Sequence, residues 1–208
     1  MEPSSIPILP KLLLIRHGQT ALNVQGRVHS QQDTTGLDEI GRWQASRLVE
    51  VCRGYGVRSL LASPEQRALE TAQIVADALG VPLQCSEALK ERNWGQWSGE
   101  PWLQIHERLK PMSLEERFTF VPPGGESWQQ MEQRLMGCVE AWRGLSESVA
   151  VVAHGGLLRA LIPLLLDEPR ESSFRYDLEN TSVSVFGVKG EGFEVVGLNG
   201  VGHLEAGG

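Results

Sequence analysis

Residues 12–20, LLLIRHGQT, change character abruptly. Leu12, Leu13, Leu14 and Ile15 make a continuous apolar run, which reads as a short strand buried on both faces. Arg16, His17 and Gly18 follow at once. Glycine lets the backbone turn sharply and come close to a ligand, so the cation and the imidazole are presented just past the strand's carboxyl end, where open α/β sheets hold their ligands. Taken alone, the same residues also fit a strand end with a solvated arginine and an incidental histidine, and the rest of the chain must decide.

The chain has 208 residues, enough for a core that needs no disulfide or metal staple, and a single domain over 1–208 is expected, with 1–10 as a loose lead-in. Its net charge of −7, from 26 acidic and 19 basic residues, argues against nucleic acid or an anionic membrane surface as the main partner. An anion site would be a local basic cluster in an acidic whole. Cys52, Cys85 and Cys138 are far apart and outside any CxxC spacing, so neither a disulfide framework nor a zinc site is indicated, and a cytoplasmic location fits. The start MEPSSIPILPK lacks a basic region before its apolar residues, and no apolar run reaches membrane-spanning length; no targeting segment is expected.

After the first strand, 23–36 is polar and glycine-punctuated, a long loop near whatever His17 serves. Asp38 caps a helix whose apolar positions Ile40, Trp43, Leu48, Val51 and Cys52 fall roughly on one face. Residues 57–62 read as a second strand, and Ser63-Pro64-Glu65-Gln66 as a helix start with Ser63 as cap and Pro64 at the first helical position. Residues 81–85 make a third strand. The tryptophan- and glycine-rich 91–99 does not resemble packed secondary structure, 102–108 and 114–120 suit short helices, and Ser127 with Gln130 caps a long helix to 145. Residues 149–153 form another apolar strand that ends in His154-Gly155-Gly156, followed by a helix through 166 that Pro163 is expected to kink. A terminal hairpin over 182–188 and 193–198 completes the pattern. Repeated βα units predict an α/β fold: a three-layer α/β/α sandwich with a mainly parallel sheet and a C-terminal hairpin. The exposed hairpin edge offers a surface for a homodimer.

Parallel strands bring their carboxyl ends to one edge, so His17 and His154 can face one pocket. Arg67, one turn into the helix after the second strand, is placed to point back to the same edge. Arg16, Arg67 and two imidazoles make a donor cluster suited to a tetrahedral oxyanion, and the N–H groups of Gly155 and Gly156 at a helix N-terminus add an anion hole.

With these blocks in hand, the chain resembles the histidine phosphatase superfamily, the phosphoglycerate-mutase-like proteins, on its phosphatase branch. LLLIRHGQT with Asn23 is similar to the family signature, LDEIGRWQA at 37–45 to its first helix, and SPEQRALETA at 63–72 to its second block. KERNWGQWSG at 90–99 resembles the acid-bearing segment, PPGGES at 122–127 a phosphatase-branch loop, and VVAHGG at 151–156 the second-histidine block. Each block alone is weak; six in order are strong. The resemblance implies a phosphomonoesterase that acts on a small-molecule phosphate ester and needs no cofactor or metal. His17 would be the nucleophile that forms a phosphohistidine, Glu91 the general acid and base, and His154 a further catalytic group. Arg16, Asn23, Arg67 and Gly155 would bind the substrate phosphate.

Chemistry agrees with that assignment. An imidazole must be neutral to attack phosphorus, and Arg16, Arg67 and a protonated His154 would disfavour a second positive charge on His17, whose unperturbed titration lies near pH ~6.5. Trp94 and Trp97 are expected to give Glu91 apolar surroundings. His29 and His106 read as surface or pocket-rim residues, and His203 has no assigned role. The tryptophans at 94, 97, 102 and 128 read as core or lid packing, with an apolar substrate wall as the functional alternative; Arg27, Arg92 and Arg159 read as surface arginines, with secondary charge contacts as theirs. Gln19 stands where Glu is frequent in the family, and Asp38 where Ser or Thr often caps. Two rival readings are a mutase, which the resemblance associates with a long insertion before the second histidine, and a non-catalytic module that binds a phosphorylated ligand. The compact segment carrying PPGGES favours the phosphatase over the first, and the presence of both histidines, both arginines and Glu91 favours it over the second.

Overall fold

A computed structural model describes residues 9–190 and 192–205. Six strands form one sheet: β1 (Lys11–Arg16), β2 (Val57–Ala62), β3 (Leu83–Cys85), β4 (Ser148–Ala153), β5 (Val183–Lys189) and β6 (Gly192–Gly200), in the order β3-β2-β4-β1-β5-β6. β1, β2, β3 and β4 run parallel, β5 is antiparallel to β1, and β6 closes the hairpin antiparallel to β5. The expected three-layer α/β architecture with its C-terminal hairpin is what the chain adopts. The lead-in over 1–10 lies mostly outside the described residues.

The layers follow from strand alternation. Leu12 and Leu14 of β1 face one core together with Val149, Val151 and Ala153 of β4, under the helices α6 (Trp128–Arg143) and α7 (Gly155–Leu165). Leu13 and Ile15 face the other core with Ala150 and Val152, under α2 (Glu39–Gly54) and α3 (Gln66–Leu79). β1 and β4, covered on both sides, are therefore apolar at every central position. The remaining α-helices among the described residues are short: α1 (Ala21–Val24), α4 (Trp102–Leu109) and α5 (Leu114–Thr119). No helix among the described residues is long and apolar enough to cross a membrane.

Several local expectations change. Residues 23–36 are not all loop, because Thr20 and Asn23 form a capping box that starts α1. The buried face of α2 is Gly41, Gln44, Ala45, Leu48 and Cys52, whereas Ile40 and Trp43 are half exposed. α3 starts later than expected: Glu65 is its N-cap residue, makes no side-chain cap bond, and Ser63 and Pro64 precede the helix. The Ser127–Gln130 box does cap α6, and α7 continues through Pro163 to Leu165.

Candidate active site

The carboxyl ends of β1, β2 and β4 meet at one edge of the sheet, and the site is built there. Parallel pairing sets Arg16 beside Ala153, so the residues that follow, His17 and His154, emerge side by side with ring centroids 5.3 Å apart. The His17 loop is pinned along its backbone. His17 N–H donates to the Ala153 carbonyl at 2.9 Å, Gly18 N–H to Thr71 Oγ1 at 3.0 Å, and Gln19 N–H to Gln44 Oε1 at 2.9 Å. Gly18 is required for close approach rather than for a turn: a Cβ there would stand 2.6 Å from the Gly41 carbonyl oxygen.

His17 is buried, and its Nδ1 lies 2.7 Å from the Gly18 carbonyl oxygen. A carbonyl only accepts, so Nδ1 carries the hydrogen and Nε2 keeps its lone pair. Burial, followed by Arg67 and Arg16, pushes the imidazole well below its usual titration range, so it is neutral near pH 7. His154 is also held neutral near pH 7, by burial, Arg67 and His17, so it adds no positive charge beside His17. His29, buried at the cleft wall, is lowered to about 4, first by burial and then by Arg67. Its Nδ1–H donates to Asp33 Oδ2 at 2.6 Å, which leaves Nε2 to accept from Thr20 Oγ1 at 2.9 Å.

Around these rings stand cations with unused donors. Arg16 donates from Nη1 to the Leu178 carbonyl, while its buried Nε has no partner. Arg67 is fully buried and ion-paired through Nη2 with Glu65, while Nε and Nη1 have no partner. His154 Nε2 lies 3.3 Å from Glu65 Oε2, without hydrogen-bond geometry, and neither of its ring nitrogens has a hydrogen bond. Buried polar groups in folded proteins are almost always satisfied. An unpartnered set that converges from three strand ends has the donors and charge to receive an anion.

Glu91 reaches the same edge from the segment after β3. Its Oε1 accepts the Arg92 N–H at 2.8 Å and its Oε2 the Gly156 N–H at 2.9 Å, at the N-terminus of α7. Of the two glycine N–H groups expected to bind an anion, that of Gly156 is therefore engaged by Glu91. A Cβ on Gly156 would stand 2.7 Å from Glu91 Oε1, so glycine is needed for this approach. Gly155 lies against Arg16, with Arg16 Nε 3.4 Å from the position of a Cβ. Arg134 of α6 holds the acid segment by donating to the carbonyls of Ala88, Lys90 and Glu91.

A cleft of about 870 Å³ opens above this floor. Arg16, His17, Asn23, Glu91, Gly155 and Gly156 line its inner end; Arg67 and His154 lie buried beneath it. Asn23 Oδ1 accepts from Thr20 N–H and Asn180 Nδ2, each at 3.2 Å, and Asn180 also donates to the His17 carbonyl at 2.9 Å. The outer walls combine Trp94, Trp102, Trp128 and Phe174 with Arg27, Arg92, Arg117 and Arg159. Trp97 does not line the cleft; it packs with Phe120 and below the Arg108 guanidinium. His106 reaches the rim, whereas His203 lies elsewhere, beside Thr181 and β6. Glu65, Arg134 and Asn180 were missed in the sequence. Glu65 sits inside SPEQRALETA but reads there as an ordinary first-turn acid, and neither Arg134 nor Asn180 belongs to a recognisable pattern.

The profile of the histidine phosphatase superfamily (branch 1) matches residues 12–200. The chain belongs to this superfamily. Similar proteins include a bifunctional protein of Mycobacterium tuberculosis, 32% identical over 207 residues that cover 93% of this chain and 55% of that protein. The chain thus spans about half the length of that relative. A putative phosphoserine phosphatase 2 of Hydrogenobacter thermophilus is 28% identical over 199 residues, covering 94% of this chain and 98% of that one. Among solved structures, a mycobacterial glucosyl-3-phosphoglycerate phosphatase complexed with VO3 superimposes with a TM-score of 0.80 at 28% identity, covering 92% of this chain and 100% of that one. This superfamily member therefore has phosphatase-named relatives that match nearly end to end.

Proposed function

We propose that the protein is a phosphomonoesterase that works through a phosphohistidine on His17. The observation that carries this is the His17 ring itself: neutral, with Nδ1–H fixed on the Gly18 carbonyl and Nε2 free to attack, beside unpartnered donors of Arg16 and Arg67. In the first step Nε2 attacks phosphorus, the ester P–O bond breaks, and Glu91 protonates the departing alkoxide. In the second, Glu91 takes a proton from water as it attacks the phosphohistidine; the P–N bond breaks and inorganic phosphate leaves. Arg16, Arg67, His154, Asn23 and the Gly155 N–H would stabilise the phosphoryl oxygens, whose charge is where electrostatic catalysis acts.

The aromatic and arginine-rich outer walls support a small-molecule ester whose alcohol presents an apolar face and tolerates nearby cations. The relatives named for phosphoserine and glucosyl-3-phosphoglycerate agree with hydrolysis as the reaction class. The test is phosphate release from p-nitrophenyl phosphate by wild type and His17→Ala. Loss of the wild-type rate by a factor on the order of 1,000 or more is expected when the nucleophile is removed. A His17→Ala enzyme with unchanged activity would overturn the proposal, as would phosphoryl transfer from a bisphosphate to 3-phosphoglycerate outpacing hydrolysis.

A further inference from the structure

Glu65 lies in the floor of the site, and the two-step reaction does not use it. Its backbone is extended (φ −68°, ψ 134°), and the carboxylate turns inward instead of capping α3. The side chain is fully buried where three elements meet. Oε1 accepts the Glu91 N–H at 3.1 Å; Oε2 pairs with Arg67 Nη2 and stands 3.3 Å from His154 Nε2. A guanidinium is planar, so a carboxylate that holds one Nη also sets the direction of the remaining donors. Those remaining donors, Nε and Nη1 of Arg67, are the unpartnered ones. His154 has no hydrogen bond to orient its ring, and the Glu65 carboxylate is the acidic group within ion-pair distance of it.

We propose that Glu65 is a positioning residue for phosphoryl transfer: its carboxylate directs the Arg67 guanidinium and the His154 ring and anchors the Glu91 backbone, so that all three address the same phosphoryl group. This inference rests on the phosphatase reading. Such a supporting group matters because misplacement of a catalytic constellation by about 1 Å can cost on the order of a hundredfold in rate. The charged and titratable groups that face Glu65 are Arg67 from α3, Glu91 from the segment after β3, and His154 at the junction of β4 and α7. Burial pushes the carboxyl up to about 7, with Arg67 opposing the rise and Glu91 adding to it. Its charge therefore changes within the range where activity is readily measured.

The experiment compares wild type, Glu65→Gln and Glu65→Ala in p-nitrophenyl phosphate turnover between pH 5.5 and 8.5, with calorimetric orthovanadate binding at pH 8. Glu65→Ala is expected to lower kcat by roughly 10- to 100-fold with little change in KM, and to weaken vanadate binding about tenfold. Glu65→Gln, whose single amide oxygen can replace one of the two carboxylate oxygens and so keeps either the Glu91 N–H or the Arg67 Nη2 as a donor but not both, should fall between the two. The wild-type to Gln ratio of kcat should be greatest at pH 8 and shrink towards one at pH 5.5, where the wild-type carboxyl has become neutral like the amide. A ratio that stays constant with pH overturns the proposal, as does a Glu65→Ala kcat within twofold of wild type; a purely structural role would lower thermal stability and leave the ratio flat. Should Glu65→Ala fail to fold, the pH dependence of the Gln ratio decides alone. A wild type that binds vanadate but hydrolyses no ester removes the phosphatase reading, and Glu65 then stands or falls on the difference in vanadate affinity between wild type and its variants. A wild type that does neither overturns both.

Discussion

His17, His29 and His154 are all kept neutral by burial beside arginines, and that arrangement has a thermodynamic consequence. An unfolded histidine takes up its proton near pH ~6.5, whereas folded His29 does so at about 4 and the other two well below their usual range. As pH falls through the unfolded value, the unfolded chain binds more protons than the folded one, and stability drops by ~1.4 kcal/mol per pH unit for each histidine. Glu65 works the other way. Its folded carboxyl titrates at about 7, above an unfolded value of ~4.3, so between the two the folded chain holds the extra proton and offsets one histidine. Three against one leaves a net loss in acid: the midpoint of thermal unfolding should be lower at pH 5.5 than at pH 7.5. An equal or higher midpoint at pH 5.5 would mean that the histidines are not held neutral.

At the scale of elements, the site depends on how closely α2 approaches the His17 loop. A Cβ on Gly41 would stand 2.1 Å from the Gln19 carbonyl oxygen, backbone that cannot move without disturbing His17. Gly41→Ala should therefore destabilise the protein by on the order of 3 kcal/mol and depress kcat/KM as well. Gly137 in α6 is a control, exposed and with open space where a Cβ would go. Gly137→Ala should raise stability by about 0.5–1 kcal/mol through a less flexible unfolded chain, with activity unchanged. Urea unfolding of both variants tests the pair. The same contact explains why α2 was misread from its apolar positions. Where a helix packs against a loop backbone, small residues and a hydrogen-bonding side chain are buried, here Gly41, Ala45 and Gln44, and Ile40 and Trp43 are left towards solvent. α3 shows a related effect. Ser63-Pro64-Glu65 has the local chemistry of a helix start, but pairing with Arg67 draws the Glu65 side chain inward, and the helix begins after it.

Across the whole molecule, an acidic surface surrounds a cleft whose walls carry Arg27, Arg92, Arg117 and Arg159. Two of these guanidiniums lie against rings: Arg92 is 4.3 Å from the Trp94 centroid and Arg159 is 5.8 Å from that of Phe174. The arginines read as surface residues in the sequence thus include a buried one, Arg92, lowered to about 10 by burial against the pull of Glu126 and Glu91. Walls of this kind should favour an aromatic alcohol over a small polar one. Trp94→Ala should raise KM for 1-naphthyl phosphate by roughly 3- to 10-fold, the worth of one aromatic contact, and leave glycerol phosphate nearly unaffected. Equal effects on both esters would mean that Trp94 only supports the fold.

The sequence by itself determined the order of strands and helices, the parallel sheet with its terminal hairpin, and the pairing of two His-Gly strand ends. These follow from apolar runs, caps and turns, which are local and therefore legible. It also marked Arg16, His17, Arg67, His154 and Gly155, because their spacing places them at or just past strand ends, whereas Glu91 and Asn23 were marked by the family resemblance. Only the tertiary structure decided how they are partnered. The tautomer of His17, the neutrality of His154, the engagement of Gly156 N–H by Glu91 and the burial of Arg67 on Glu65 all depend on distances between elements far apart in the chain. Desolvation and hydrogen bonding act through those distances, and no local pattern encodes them.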